Sequence, residues 1–508
     1  MAAPSSSDDR AALAASVAAG ALVAQQVAGK AVRDALFLSH FPVEQLPAAL
    51  MGSAALGALA VLGFSRLVAR RGPARTVAAS VTVAVGGFLA EWALSARYPR
   101  AVVLALYAQL AIFGGTLLSS FWSLVNERFD PYTARRLMGR IGMGASLGGV
   151  MGGALTWALS GHVPLPSMLL LLAGLNVLCL PALVLGKKAS QAGGGEEELT
   201  MSALGALRGS RYLRDLAALV AVGALAAAAL DYALNAQAAR AFHDGAGLIG
   251  FFSLFHGSVA LLALGVQVAG TRRALETLGL AGSTAVKPAA VAVAGTAAVL
   301  APQLWTAALA RGVEAVLNNS LYRAGYELLF TPLPEAQKRP AKAIVDVGFD
   351  RLGTLAGGGI ALLAVALSPA FAARALFAVA ALAGLGGLVL CRRAHEGYVR
   401  ALEESLRSGA VRLDPGEVMD STTRLTLART GLILDRETLM RQIQALRDEA
   451  GPRGAETPSA ARGREEARAH DPVLAAAAAL RSSDPMEIQG VLARELEPAL
   501  VGLVVPLL

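Results

Sequence analysis

The chain has 508 residues, of which 55% are hydrophobic and only 16% are charged, and its mean hydropathy is +0.54. Soluble domains carry about 25% charged residues, so this composition excludes a disordered protein and argues against a single soluble domain. The net charge of +8 divides unevenly, because residues 1–391 sum to +10 and residues 392–508 to −2. The basic charge therefore belongs to an apolar, membrane-embedded part, and we expect no nucleic-acid partner.

The first ten residues are polar and acidic, without the basic region of a secretory signal or the Arg-rich character of a transit peptide. We interpret residues 1–10 as a cytoplasmic N-terminus and the first apolar segment as a retained span. The two cysteines, Cys179 and Cys391, offer no disulfide framework and no metal-ligand spacing. A P-loop motif is missing from the sequence as well, which argues against a built-in ATPase. We expect no cofactor, no metal and no enzymatic activity.

Apolar segments long enough to cross about 30 Å of hydrocarbon recur through the first 391 residues. They predict an all-α membrane protein with twelve transmembrane helices in two six-helix halves, 11–186 and 213–391, joined by a cytoplasmic central loop, 187–212. The spans lie near 11–38, 48–68, 74–95, 101–125, 137–160, 165–186, 213–238, 247–269, 286–301, 303–329, 343–367 and 370–391.

Lysine and arginine are distributed unequally among the loops between these spans. The loops that we assign to the cytoplasm carry 21 of them, counting Lys287 between the eighth and ninth spans, and the opposite loops carry 4. Cytoplasmic loops are enriched in these residues, so both termini are expected in the cytoplasm. The asymmetry also favours an even number of spans.

Two corresponding loops show a weak internal repeat. Residues 126–153 and 326–359 both run from a glutamate through hydrophobic residues and a proline turn to a basic cluster and a glycine-rich span. Such a duplication of six spans is typical of a major-facilitator-type carrier, whose two halves move about a site near the membrane midplane.

The tail differs in composition from the apolar part. Residues 392–449 are charged and amphipathic and predict a cytoplasmic helical segment, and 450–470 predict a disordered linker. Residues 471–508 contain two Asp-Pro helix starts, which predict a HEAT-like helical repeat. The last ten residues are apolar with nothing to cover them, so we expect either a repeat truncated at Leu508 or a protein partner of the tail.

Polar side chains form stripes on the first, fourth, seventh and tenth spans, the four expected to line the cavity of such a carrier. A charge near the bilayer centre costs about 2.5–3.5 kcal/mol, so these residues must face water or one another. The stripes comprise Gln26, Lys30, Arg33 and Asp34; Gln109, Thr116, Ser120, Ser123 and Glu127; Asp231 and Asn235; and Arg311, Glu314, Asn318 and Tyr322.

Two interpretations of these charges stay open. Arg33–Asp34 and Arg311–Glu314 could be internal ion pairs, although Lys30 has no partner in its own turn. Alternatively, Lys30, Arg33 and Arg311 make the cavity positive, which suits an anionic substrate. We interpret His256 on the eighth span as a packing or hydrogen-bonding residue.

The second interpretation assigns three roles. Substrate binding is predicted for Lys30, Arg33, Arg311, Asn318, Tyr322 and Asn235. Charge pairing or coupling is predicted for Asp34, Asp231 and Glu314. A cytoplasmic gate is predicted for Glu127, Arg135, Arg136, Glu327, Lys338 and Lys342.

Three segments carry a resemblance to a known family: FWSLVNERFDPYTARRLMGRIGMGAS (121–146), SRYLRDLAALV (210–220) and LYRAGYELLFTPLPEAQKRPAKAIVDVGFDRLG (321–353). Over residues 28–400 the chain resembles the ATP/ADP translocase family, nucleotide exchangers of plastids and intracellular bacteria with relatives in free-living bacteria, some of which have HEAT-like tails. The resemblance implies exchange of ATP for ADP, or nucleotide uptake with a cation, in a bacterial inner membrane. Leu36, Asn235 and Gln237 stand where plastid-type members carry lysine, and Thr133 stands where an acidic residue is usual.

The sequence therefore predicts a secondary transporter that moves an organic anion, such as a nucleotide, by alternating access. Two alternatives stay open. One is a proton-coupled symporter of another solute, in which Asp34, Asp231 or Glu314 carries the proton. The other is a transporter-like sensor or scaffold that acts through its helical-repeat tail.

Overall fold

The computed structural model describes residues 6–128, 131–180, 209–333, 338, 341–342, 344–408 and 420–430. Within these ranges the chain consists of helices and short connections. The α-helices are α1 Ser6–His40, α2 Leu46–Arg71, α3 Pro73–Leu94, α4 Pro99–Arg128, α5 Pro131–Ser160, α6 Met168–Val177, α7 Arg211–Ala241, α8 Gly245–Ala269, α9 Thr271–Leu300, α10 Leu304–Asn318, α11 Leu321–Leu328, α12 Asp350–Leu367 and α13 Pro369–Arg407. Two 3-10 turns, Val43–Gln45 and Leu165–Ser167, and a π-helix, Ile344–Phe349, join some of them.

A helix lies at each place where the sequence predicts a span. Nine of the helical segments in the described ranges are long and apolar enough to cross a membrane. The helices at the fifth, sixth and tenth places are not among the nine: α5, α6 and α10. The chain is thus a nearly all-helical, multi-pass membrane protein, as predicted, and the number of twelve spans stays a prediction.

The prediction for the ninth span is wrong at its start. Helical residues run from Thr271 to Leu300, but Gly279, with φ 65° and ψ −172°, interrupts them in a conformation that favours glycine, so the helix of the ninth span begins after Gly279 rather than near residue 286. Lys287, which we counted with a cytoplasmic loop, lies inside this helix and is only 7% exposed. Because proline is common in the first helical turn, Lys287-Pro288 resembles a helix start in the sequence and led to the error.

The tenth span is broken near its middle. α10 ends at Asn318, Ser320 has φ −128° and ψ −100°, and α11 begins at Leu321. The continuous helical spacing that we expected from Arg311 to Tyr322 is therefore wrong, and Tyr322 owes its position to a separate helix.

The two halves repeat one packing pattern. In the first half α1 packs along α5 and α3 packs on α4, and in the second half α7 packs along α12 and α9 packs on α10. Gly20 and Gly148 bring α1 and α5 so close that neither has room for a Cβ atom. Small residues are the usual means of close helix packing in lipid, where no hydrophobic force drives association.

The halves meet along two seams, α5 with α8 and α2 with α12, and α1 also packs on α8. At the end of the molecule where α1 ends, Gly245 of the second half lies against Ser39 and Leu165 of the first. The larger apolar cluster contains residues of both halves, whereas the described members of a second cluster, near the start of α1, all belong to the first half. We call the end at Gly245 the joined end.

The chain divides into two compact units, 1–398 and 399–508. The second unit is described at 399–408, where α13 ends, and at 420–430, which holds a helix over 421–430. The predicted linker, the predicted HEAT-like repeat and most of the central loop lie outside the described residues. Helix α13 continues to Arg407, past residue 391, where we predicted the last span to end.

Candidate functional site

Four charged residues of the second half form one ion-pair network. Arg311 Nε lies 2.5 Å from Asp231 Oδ1, and Arg311 Nη1 pairs with Glu314 Oε2. Lys287 Nζ lies 3.1 Å from Glu314 Oε1. Because the Glu314 side chain is 2% exposed and that of Lys287 9%, water cannot replace these contacts, so the partners must stay paired. Two cations and two carboxylates thereby neutralise each other.

Lys287 contacts two residues that are predicted from the sequence to bind substrate. Its ammonium donates a hydrogen bond to Asn318 Oδ1 at 2.7 Å and lies 4.5 Å from the centre of the Tyr322 ring, a cation–π contact. Lys287 therefore connects α9 to both pieces of the broken tenth span.

Asn235, another predicted substrate residue, is buried on α7. Its side-chain nitrogen donates to the backbone oxygen of Asp231, one turn earlier, at 2.9 Å. The structure thus holds Asn235 against its own helix, next to the carboxylate that binds Arg311.

Arg33 and Asp34, which are neighbours on α1, form an ion pair within the first half. Arg33 Nη2 lies 2.7 Å from Asp34 Oδ1, and the Arg33 guanidinium lies 4.9 Å from the centre of the Tyr107 ring on α4. About two turns earlier on α1, the Gln26 amide donates to the backbone oxygen of Gly114 at 2.8 Å. Both contacts fix the polar face of α1 against α4.

Lys30 lies between these anchored residues and differs from them. Its side chain is exposed, and within the described part of the chain it has neither an ion pair nor a hydrogen bond. The charges that act on it come from Arg33 and Asp34 in the first half and from Asp231 and Arg311 in the second. An exposed side chain that lies close to charges of both halves faces open space between them.

Lys30 differs from the other three cations of this cluster. Arg33, Lys287 and Arg311 contact the carboxylates of Asp34, Glu314 and Asp231 respectively, whereas Lys30 has no ion-pair partner among the described residues.

From the sequence we placed Lys287 in a cytoplasmic loop and interpreted His256 as a packing or hydrogen-bonding residue, so neither was predicted as a member of this cluster. His256 lies on α8 with its Nε2 atom 3.8 Å from Asp34 Oδ2, so it joins the charged face of α1 from the opposite half. A signal for both was present in the sequence. His256 is the sole titratable residue of Gly245–Ala269, and Lys287 is the sole charged residue between Glu276 and Arg311. An isolated ionisable residue in a long apolar run is by default a functional candidate.

The predicted gate is described only in its second-half members. Lys342 pairs with Glu327, which also contacts Arg323 at 2.9 Å, so this carboxylate binds cations of its own half. Lys338 is described, although the residues on either side of it are not. The side chains of the first-half members, Glu127, Arg135 and Arg136, lie outside the described residues. A gate between the halves therefore stays a prediction.

No protein-family model matches the sequence, and no curated protein matches it either. Solved transporter structures do match the fold. The chain is similar to the nucleoside transporter NupG, with a TM-score of 0.56 and 14% identity over 76% of this chain and 99% of that one. It is also similar to a POT family transporter in complex with a thioalcohol-conjugated peptide, with a TM-score of 0.56 and 13% identity over 74% and 96% of the two chains.

A third similar structure is a bacterial homologue of the human lysosomal transporter Spinster in an inward-facing, unoccupied conformation. Its TM-score is 0.51 and its identity 15%, over 81% of this chain and all of that one. At these identities the similarity establishes the fold, which is that of major-facilitator-type transporters. The resemblance to the ATP/ADP translocase family stays a prediction.

Proposed function

We propose that the chain is a secondary membrane transporter that moves an organic anion through the space between its two halves by alternating access. The shared fold with NupG, the POT family transporter and the Spinster homologue supports transport. The single observation that carries the choice of an anion is Lys30, whose charge is exposed between the halves and lacks a described partner.

The energetic argument concerns the cost of that charge. Insertion scales place a lysine at a helix centre about 2.5–3.5 kcal/mol above an apolar residue. Ion pairing offsets this cost for Arg33, Lys287 and Arg311, whereas Lys30 is exposed to the space between the halves, where water hydrates its charge. A bound anion would replace part of that water with a direct ion pair, which is stronger where the surrounding dielectric is low.

The first substrate class to test is a nucleotide. Residues 121–146 and 321–353 resemble nucleotide exchangers, and the name of NupG specifies nucleosides. A phosphate on a nucleoside would distinguish the substrate of this chain from an uncharged nucleoside through its contact with Lys30.

The orientation follows from the proposed location. We place the chain in a bacterial inner membrane with both termini in the cytoplasm. The joined end, where α1 ends, would then face outward, and the space beside Lys30 would open toward the cytoplasm. The sensor or scaffold alternative depends on a tail that lies largely outside the described residues.

Counterflow into proteoliposomes tests the proposal. Vesicles with the full chain are loaded in turn with unlabelled ATP, ADP, AMP or adenosine, and uptake of the same labelled compound is measured. We expect at least one phosphorylated compound to accumulate and adenosine not to accumulate. Lys30→Gln should abolish the uptake and Lys30→Arg should retain part of it, whereas the control Arg272→Gln, at an 84% exposed side chain, should behave as wild type. Accumulation of adenosine alone, or of none of the four, would contradict the proposal.

A further inference from the structure

One contact between the halves lies outside the role assigned to Lys30. Asp34 on α1 and His256 on α8 face each other across the boundary, with Oδ2 and Nε2 3.8 Å apart. Their side chains are 5% and 15% exposed. Asp34 is six residues from the end of α1, so the contact lies near the joined end but inside the apolar part of the protein.

Asp34 and His256 differ in the hydrogen bonds that they form. Asp34 Oδ1 accepts a hydrogen bond from Arg33 Nε at 2.8 Å, which leaves Oδ2 directed at the imidazole. His256 Nε2 is buried and has no hydrogen-bond partner among the described residues. A separation of 3.8 Å exceeds hydrogen-bond length, so the imidazole and the carboxylate are adjacent but not bonded.

The surroundings of His256 contain few other charges. Phe252 and Phe255 of its own helix contact the imidazole with ring centres 6.3 and 5.1 Å away. α5 approaches α8 through glycine backbone at Gly153. The charged groups that act on the imidazole are Asp34 and Lys30 from α1 and Arg311 from α10. Asp231 on α7 and Lys287 on α9 are paired with Arg311 and Glu314 instead.

We infer that Asp34 and His256 form a proton-binding site between the two halves. A proton taken up by the imidazole makes His256 a cation, which forms an ion pair with Asp34 across the 3.8 Å between Nε2 and Oδ2. Histidine is suited to this because its charge changes between about pH 5 and 8. Although Nε2 is buried, 15% of the side chain is exposed, and a proton reaches the imidazole through this exposed part of the ring. The coupling of this proton to substrate movement rests on the proposed function.

Proton occupancy should change the equilibrium between conformations. If the halves separate at the joined end, α8 moves away from α1 and the contact between Asp34 and His256 is lost. Separation of a neutral imidazole loses little, but separation of an imidazolium breaks an ion pair in a medium of low dielectric. Protonation therefore favours the conformation of this structure, in which the joined end is closed.

A distance measurement without substrate tests the site. Nitroxide labels are placed at Arg71→Cys on α2 and Arg272→Cys on α9, two exposed positions in opposite halves at the end away from the joined end. The buried Cys179 and Cys391 are replaced by alanine. Distance distributions by pulsed electron resonance are compared between pH 8 and pH 5.5 in nanodiscs. We expect acid to increase the population with the longer distance, by at most about tenfold per pH unit, the limit for one proton.

Matched variants identify the group that titrates. His256→Gln and Asp34→Asn should each remove most of the pH dependence, whereas His162→Gln, at an exposed histidine near the joined end, should retain it. His256→Asn serves if the glutamine variant is unstable in size-exclusion chromatography. The inference is overturned if the wild-type distribution is the same at both pH values, or if the His256 variants titrate as wild type does.

The outcomes separate this inference from the proposed function. A pH-dependent distance without counterflow of any anion would support the proton site and contradict anion transport. Counterflow together with a distance distribution that does not change with pH would support anion transport and contradict the proton site.

Discussion

The two halves of the molecule carry charge inside the membrane in different ways. In the second half, Arg311 and Lys287 are matched by Asp231 and Glu314, and the network connects three helices. In the first half, Asp34 is the carboxylate of the described cluster, and Arg33 occupies it, so Lys30 is left over. This difference indicates that a complete ion-pair network holds helices together, whereas a cation without an ion-pair partner is available to a ligand.

The largest effect that the comparison predicts is on stability in the second half. Arg311→Gln leaves Asp231 and Glu314 without their shared cation, and breaking a buried pair in this way costs about 3–5 kcal/mol. Thermal unfolding in detergent should show a much lower midpoint. Arg272→Gln, which removes an exposed ion pair on the surface, is the control, because exposed ion pairs contribute little to stability. Equal midpoints for the two variants would show that the network does not hold the half together.

A smaller loss is expected at the other end of the same network. Lys287→Gln removes one cation from Glu314 but leaves Arg311 in place, so we expect destabilisation of about 1–3 kcal/mol. A double-mutant cycle with Glu314→Gln should give a coupling free energy of about 0.5–3 kcal/mol. A coupling near zero would mean that Lys287 is held by Asn318 and Tyr322 alone.

The next variant tests whether helix packing, rather than charge, holds the two halves together. A Cβ atom at Gly153 would collide with the backbone of Gly257 in the α5–α8 seam, so Gly153→Ala should cost about 1–3 kcal/mol. Gly86→Ala on α3, where a Cβ atom meets nothing within 4 Å, is the matched control. A Gly153 variant as stable as the Gly86 variant would indicate that the seam is looser than the structure shows.

The smallest effect on stability should come from Lys30. Lys30→Gln breaks no described contact, so unfolding should shift by no more than about 0.5 kcal/mol, the usual range for such positions. A destabilisation comparable to that of Arg311→Gln would show that Lys30 has a structural partner, and the contrast between the halves would fail.

Much of the fold could be predicted from the sequence because lipid allows few solutions. Helices satisfy every backbone hydrogen bond internally, so long apolar runs locate them directly. Their ends are less certain, since a charged residue next to a proline looks the same at a helix start as inside a kinked helix. Because of this ambiguity, we predicted the start of the ninth span too late in the sequence and placed Lys287 in a loop.

Most residues of the candidate site could be predicted from the sequence, but the ion pairs that they form with one another could not. Helical spacing places Arg311 and Glu314 on one face, yet it cannot show that Asp231 of α7 and Lys287 of α9 complete the network. Pairing between helices depends on tertiary packing, and the break at Ser320 redirects Tyr322 in a way that periodicity cannot reveal. His256 was missed for the same reason, because its partner lies on a helix of the other half.

Equilibrium binding to purified protein tests the role of Lys30 most directly. The affinity for whichever phosphorylated compound gives counterflow is measured by titration calorimetry with wild type, Lys30→Gln, Lys30→Arg and Arg272→Gln. We predict at least about tenfold weaker binding for Lys30→Gln, the loss of about 1.4 kcal/mol, with unchanged thermal stability. Lys30→Arg should bind nearly as wild type and Arg272→Gln as wild type. Equal affinity of Lys30→Gln and wild type would contradict the account.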